Sequence, residues 1–280
     1  MSTHTTHREV PTQMVDVDGS AFAYRDLGPR TGTPLILLNH LAAVLDNWDP
    51  RVVEGIAAHR RVITFGNRGV GASAGRTPGT VAEMATDAVA FIKALGFDRV
   101  DLLGFSMGGF VAQVVAEEHP ELVRRMVLAG TGPAGGEGID KVTRLTVLDV
   151  IRGALTFRDA KYYLFFTTTA HGRSEARAFL SRLKERTHDR DTSISVPSFR
   201  AHLKAIHRWG VQQPTDLSRI RQPVLVANGD QDRMVPSHNS ADLARRLPNA
   251  RLTIYPDAGH GGIFQHHAQF VPEAVAFLDD

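Results

Sequence analysis

The chain of 280 residues contains no cysteine, which excludes disulfides, thiolate metal sites and a cysteine nucleophile and is consistent with a cytoplasmic location. It has no uninterrupted apolar run of transmembrane length. Its first ten residues are polar and lack the apolar centre of a secretory signal, so a membrane is not among the expected partners. Charge of one sign is also missing: 32 Lys and Arg against 30 Asp and Glu leave a formal net charge of +2. The basic residues are scattered, with no basic stripe interleaved with aromatics, and no nucleic-acid partner is expected. There is no repeat and no low-complexity tract. A composition of 42% hydrophobic and 22% charged residues then describes a globular chain long enough to bury one large core.

The pattern along the chain alternates. Met14 to Val17 and Ala21 to Leu27 read as strands joined at Asp18-Gly19, a hairpin signal that predicts an antiparallel edge. The continuous apolar run Leu35-Ile36-Leu37-Leu38 ends in Asn39-His40 and reads as a strand buried on both faces. A helix is expected from Trp48 to Ala58, a strand from Arg61 to Phe65, and a glycine-rich loop from Asn67 to Ser73. A further helix is expected from Val81 to Leu95, capped by Thr80. After a strand at Leu122 to Ala129 the alternation stops. From about Gly132 to Thr215 the pattern is helical only, with helices near Ile139 to Phe157, Arg158 to Phe166, Arg173 to Arg186 and Val196 to Trp209. The rhythm resumes with a strand at Val224 to Gly229, a helix near Asn239 to Arg246, a strand at Leu252 to Tyr255 and a closing helix from Gln265 to Leu278. Strands alternating with helices predict an α/β fold with a mostly parallel sheet covered on both faces. The helical insert, residues 133–215, is expected to cap the carboxyl edge of a core formed by residues 1–132 and 216–280.

The chemistry centres on Val100 to Gly109, where an apolar strand runs straight into Gly104-Phe105-Ser106-Met107-Gly108 and then into a buried helical pattern. Gly-x-Ser-x-Gly between a strand and a helix is a nucleophile elbow; its turn is too tight for side chains at either glycine. A serine hydroxyl needs a base within hydrogen-bond reach and a group that holds the base. Loops after the last two strands supply both. One is Gly229-Asp230-Gln231-Asp232-Arg233-Met234-Val235-Pro236, the other Asp257-Ala258-Gly259-His260-Gly261. Among 13 histidines, His260 stands apart because glycines flank it just beyond a strand end. Of the two acids Asp232 is favoured, being further out on its loop, with Asp230 read as a turn-capping carboxylate.

With these motifs in hand, the chain resembles the α/β-hydrolase-fold superfamily over nearly its whole length, as a serine esterase or lactonase type with a helical cap. Asn67-Arg68-Gly69-Val70-Gly71-Ala72-Ser73 also matches that family's loop after the fourth strand. The resemblance implies Ser106 as nucleophile, Asp232 as acid and His260 as base, with an oxyanion hole made by the backbone amides of Leu41 and Met107. It implies no metal and no organic cofactor. Two departures stand out. His40 occupies a position where many members have glycine, and is either a substrate contact or a histidine packed beneath the loop. Gly66 replaces an acidic residue common before Arg-Gly-x-Gly.

The expected substrate is a small carboxylic ester or lactone, in a monomer or a homodimer. Acyl transfer, hydroxynitrile cleavage, carbon–carbon bond hydrolysis and cofactor-free perhydrolysis stand as alternatives on the same triad, and ligand sensing as a non-enzymatic one. Tyr162, Phe165 and Phe166, after Leu148, Val150, Ile151 and Leu155, are read either as the roof of an apolar pocket or as packing between cap helices. The charged residues from Arg173 to Arg190 read as a solvated helix face.

Overall fold

The computed structural model of the chain describes residues 6–280; the first five residues of the polar amino-terminal tail lie outside the described residues. The chain opens with β1 (Gln13–Val17) and β2 (Ser20–Leu27), paired antiparallel across Asp18-Gly19, both of which take positive φ. There follow β3 (Leu35–Leu38), α1 (Pro50–Ala57), β4 (Val62–Phe65), α2 (Val81–Ala94), β5 (Val100–Phe105), α3 (Met107–Glu118) and β6 (Val123–Ala129). Four helices come next: α4 (Val142–Thr156), α5 (Lys161–Leu164), α6 (Ala170–Arg182) and α7 (Val196–Val211). The chain ends with β7 (Val224–Gly229), α8 (His238–Arg246), β8 (Ala250–Tyr255), α9 (Gly262–Gln265) and α10 (His267–Asp279).

The eight strands form one sheet in the order β1-β2-β4-β3-β5-β6-β7-β8. All pairs from β4 to β8 are parallel; β2 joins β4 antiparallel. The central strands are apolar on both faces because helices cover both; β3, β4, β5 and β7 are buried throughout. From β3 the chain first winds outward to β4 and then crosses back to β5 on the other side. That reversal opens a crevice at the carboxyl ends of β3 and β5.

Local chemistry sets the helix ends. Asp49 caps α1 by accepting the Arg51 N–H, so the helix begins at Pro50 and not at Trp48. Thr80 caps α2 as its sequence predicts, and Thr169 caps α6 by accepting from Gly172, which moves that helix upstream of Arg173. Phe157 takes a left-handed conformation (φ 54°) and ends α4, leaving only the short α5 where a helix from Arg158 to Phe166 is expected. The closing helix is split at His266 into α9 and α10.

The insert differs from its sequence reading in two ways. The inner face of α4 is Val142, Thr146, Asp149 and Gly153, while Leu148, Ile151 and Leu155 point to solvent. Asp149 is drawn inward to pair with Arg233, and Gly153 lies against the Arg158 carbonyl, where a Cβ would come within 2.6 Å. The charged run from Arg173 to Arg190 is not wholly solvated either. Arg182 is buried on Asp49 at 2.6 Å, and Arg186 donates to the carbonyls of His7 and Val10, both at 2.9 Å.

Beneath the opposite edge of the sheet, the fully buried Asp101 at the start of β5 accepts from Arg60 at 2.6 Å and from Arg124 at 2.7 and 3.0 Å. Both arginines also donate to the Leu278 carbonyl, so one carboxylate fastens β5, β6 and the end of α10. Asp101→Ala removes the buried carboxylate that the two arginines share, leaving Arg60 with Asp279 and both with the Leu278 carbonyl, and is expected to destabilise the fold by about 2 kcal/mol or more, read by urea unfolding; a loss under about 1 kcal/mol contradicts the assignment.

Three histidines, His7, His40 and His202, are packed neutral, with burial pushing them down from 6.5 to about 4, 3 and 4 respectively. A base whose pKa is depressed on folding takes up its proton first in the unfolded chain, so stability is full above pH 6.5 and is lost as pH falls toward 4. On the order of 1–2 kcal/mol per histidine is expected to be gone by pH 5, which urea midpoints measured from pH 7 to pH 5 test directly; a midpoint that stays level over that range contradicts it.

Candidate active site

Ser106 stands in the turn between β5 and α3 with φ 56° and ψ −118°, a conformation strained for any residue with a Cβ. The turn is held from three directions. Its N–H donates to the Ala129 carbonyl of β6, its carbonyl accepts from Gly109 N–H, and Thr131 Oγ1 donates to the same carbonyl, all at 2.9 Å. Gly104 and Gly108 permit the packing: a Cβ on Gly104 would lie 2.4 Å from the Gly108 carbonyl, and one on Gly108 would lie 2.0 Å from that of Leu38. β3 can therefore approach the elbow closely, which brings the loop after Leu38 beside Ser106.

The loops after β7 and β8 meet at the same edge. His260 Nδ1 donates to Asp232 Oδ2 at 2.8 Å, and both side chains are buried. The other carboxylate oxygen, Oδ1, accepts the N–H groups of Met234 (2.8 Å) and Val235 (3.0 Å), which fix its direction. With Nδ1–H committed to the carboxylate, the imidazole presents Nε2 as a free acceptor. Asp230 acts elsewhere, its Oδ1 accepting the Ala258 N–H at 3.1 Å and so tying the acid's loop to the histidine's loop. The glycines beside His260 serve packing. A Cβ on Gly259 would lie 2.7 Å from the Phe165 carbonyl, which accepts the Gly261 N–H at 2.7 Å. The imidazole is flanked by Phe105 and Phe165, with ring centroids 5.0 and 5.5 Å away.

Ser106 and His260 open onto one cavity of about 120 Å³. Its walls include Leu41, Leu164, Phe165, Phe199 and Met234, with Thr146 and Val150 from α4 and the Asp159–Lys161 ion pair (3.0 Å) completing the lining. The backbone N–H groups of Leu41 and Met107 have no protein acceptor among the described residues. His40 lines the same cavity, and its Nδ1–H donates to the Leu41 carbonyl at 2.8 Å; its ring packs edge-on against Phe105 and Phe165. Gly66 is accounted for by space, since a Cβ there would lie 2.8 Å from Ser73 Oγ, the hydroxyl that joins Gly66 to Ala23. Arg68, in the loop that follows, takes Asp87 as its partner at 2.6 Å.

Of the three insert aromatics expected at the substrate, only Phe165 lines this cavity. Tyr162 and Phe166 face a separate surface cavity with Arg152, Arg158 and Arg173. The single turn of α5 turns Leu164 and Phe165 toward Ser106 and sends Tyr162 beneath Arg158 and Phe166 onto Phe179. The sequence reading missed Thr146, Lys161, Phe199 and Met234. Met234 was within reach of it, two residues past Asp232; the others carry no local signature.

The profile of the alpha/beta hydrolase fold family matches residues 33–267. An alpha/beta hydrolase fold protein from Chitinophaga pinensis superposes with a TM-score of 0.93 at 40% identity, covering 98% of this chain and 99% of that one. Among curated relatives, a putative carbamate hydrolase of a Caulobacter strain is 31% identical over 222 residues, 76% of this chain and 78% of its own. A non-heme chloroperoxidase of Streptomyces lividans is 29% identical over 280 residues, covering 93% and 97%. The eight-stranded, mostly parallel sheet, the strained serine elbow at its centre and these likenesses agree: the chain belongs to the alpha/beta hydrolase family and is an enzyme.

Proposed function

We propose that the chain is a serine hydrolase that cleaves a small carboxylic ester or lactone through an acyl-enzyme on Ser106. The observation that carries this reading is the buried His260–Asp232 hydrogen bond of 2.8 Å at the wall of the cavity that also holds Ser106. In this reading Ser106 Oγ attacks the carbonyl carbon while His260 Nε2 takes the hydroxyl proton. Asp232 keeps the imidazole in the tautomer that leaves Nε2 free, and its charge stabilises the imidazolium once formed. The tetrahedral oxygen accepts the N–H groups of Leu41 and Met107. Collapse breaks the bond to the alcohol, which leaves with the proton from His260. A water then gives its proton to His260 and its oxygen to the acyl carbon, releasing the acid and restoring Ser106.

The cavity's size supports this substrate class. At about 120 Å³ it lies well below the roughly 300 Å³ at which drug-sized sites begin, and its walls are mostly apolar, which suits a short aliphatic acyl group or a small ring. Helices α4 to α7 act as the cap, with Thr146, Val150, Leu164, Phe165 and Phe199 supplying one side of the pocket. A second reading, in which hydrogen peroxide replaces water in the second half-reaction and yields a peracid, draws support from the name of the 29% identical chloroperoxidase.

Steady-state kinetics on p-nitrophenyl esters test the proposal. Butyrate is expected to exceed octanoate in kcat/KM by about tenfold or more, since a pocket discriminates against an excess methylene by about 1–3 kcal/mol. Ser106→Ala and Asp232→Asn are expected to lower kcat by about 10⁴-fold. Retention of more than about a tenth of the activity in Ser106→Ala contradicts the reading. Peracid formed when peroxide is added marks the second one.

A further inference from the structure

Leu41 and Ala42 are joined by a peptide unit that is gripped at both edges by a histidine. On one edge the Leu41 carbonyl accepts Nδ1–H of His40 at 2.8 Å. On the other the Ala42 N–H donates to Nδ1 of His202 at 3.2 Å. His202 belongs to α7, in the insert, and is fully buried. The two rings must therefore be opposite tautomers, His40 carrying its proton on Nδ1 and His202 carrying it on Nε2. Burial keeps both neutral, so each holds its bond throughout the physiological range.

The grip falls where the backbone needs it. Ala42 holds φ 62°, a left-handed conformation that a residue with a Cβ does not keep unaided. Its neighbours find their acceptors inside the loop: Ala43 N–H bonds the His40 carbonyl at 3.1 Å and Val44 N–H bonds Asn47 Oδ1 at 2.9 Å. Only the Ala42 amide crosses to the insert at this point. Further along, Leu45 N–H also crosses, to Asp191 Oδ2 at 2.9 Å. The Leu41 N–H belongs to the preceding unit, His40–Leu41, whose carbonyl accepts the Ala43 N–H and which the bond from the His40 ring to the Leu41 carbonyl spans; with the Leu41–Ala42 unit held on both edges, neither unit can turn about the Leu41 Cα without breaking one of these bonds.

We infer that His40 and His202 are positioning residues that clamp the Leu41–Ala42 peptide and thereby aim the Leu41 N–H at the reacting carbonyl oxygen. The inference rests on the reading of Leu41 as an oxyanion donor. It gives His40, where many members have glycine, a role that glycine has no side chain to fill. It also makes the insert part of the oxyanion hole, since one jaw of the clamp comes from α7.

The decisive variants are His202→Asn and His202→Leu, which are nearly equal in size and differ in whether an oxygen acceptor stands near the place of Nδ1. Loss of one oxyanion donor costs about 10²–10³ in kcat, and a donor left in place but misaimed is expected to cost somewhat less. His202→Leu should therefore lose about 10–100-fold in kcat on p-nitrophenyl butyrate with KM within about twofold, because the donor acts in the transition state. His202→Asn should stay within about threefold of the native enzyme. Amide hydrogen exchange over residues 41–44 gives a readout independent of turnover. It should quicken about tenfold or more in His202→Leu and remain near native in His202→Asn, with both proteins folded by their urea midpoints. Native exchange in His202→Leu, or equal impairment of the two variants, overturns the clamp. If the native protein shows no Ser106-dependent turnover, the ester reading fails while the exchange comparison still decides the clamp.

Discussion

Everything at the carboxyl edge of this sheet depends on one strained residue. Ser106 is held at φ 56° by β6 on one side and by two glycines that let β3 and α3 close around it. Relaxing that backbone toward an ordinary strand-to-helix turn would alter the direction of the hydroxyl and withdraw the first amide of α3 from beside it. The strain persists because a buried parallel sheet over-determines it, with β3 and β6 bonded to β5 on either side. The same close packing of β3 delivers the loop that begins at Asn39, so the elbow and the loop beside it are consequences of one geometric constraint.

Around that centre, rigidity comes from hydrogen bonds between loops and not from the loops themselves. Asp232 is oriented by two amides of its own turn, Asp230 lashes its loop to that of His260, and the Phe165 carbonyl reaches from the insert to Gly261. Asn39 adds a further fixed point, donating to the Phe65 carbonyl at 2.6 Å and accepting from Trp48 Nε1 at 2.7 Å. Insert and core also share ion pairs on buried carboxylates, Asp49 with Arg182 and Asp46 with Arg190. The helices between β6 and β7 are thus bonded to the site at several independent points.

Legibility in the sequence followed the range of the interaction. Gly104 to Gly108, the Asp18-Gly19 hairpin and the Thr80 cap are local in chain and chemistry, and each was readable where it stood. The alternation of strands and helices revealed the sheet, because strands buried on both faces need uninterrupted apolar runs. The insert was harder. The apolar stripe of α4 identified a helix but not which face turns inward, and that choice is made by Asp149 and Gly153 through partners elsewhere in the chain. His202 lies 160 residues from the amide it holds, within no motif and among 13 histidines. The spacing that set Tyr162 beside Phe165 likewise carried no information about how a single helical turn would divide them between two cavities.

In the proposed mechanism the hydroxyl of Ser106, which shares its cavity with His260, is the nucleophile. The most direct measurement is intact and peptide mass spectrometry after brief exposure to a small alkyl fluorophosphonate. One stoichiometric adduct is expected, confined to Ser106 and abolished by His260→Ala. An unmodified protein, or an adduct on another residue at equal rate, would contradict it.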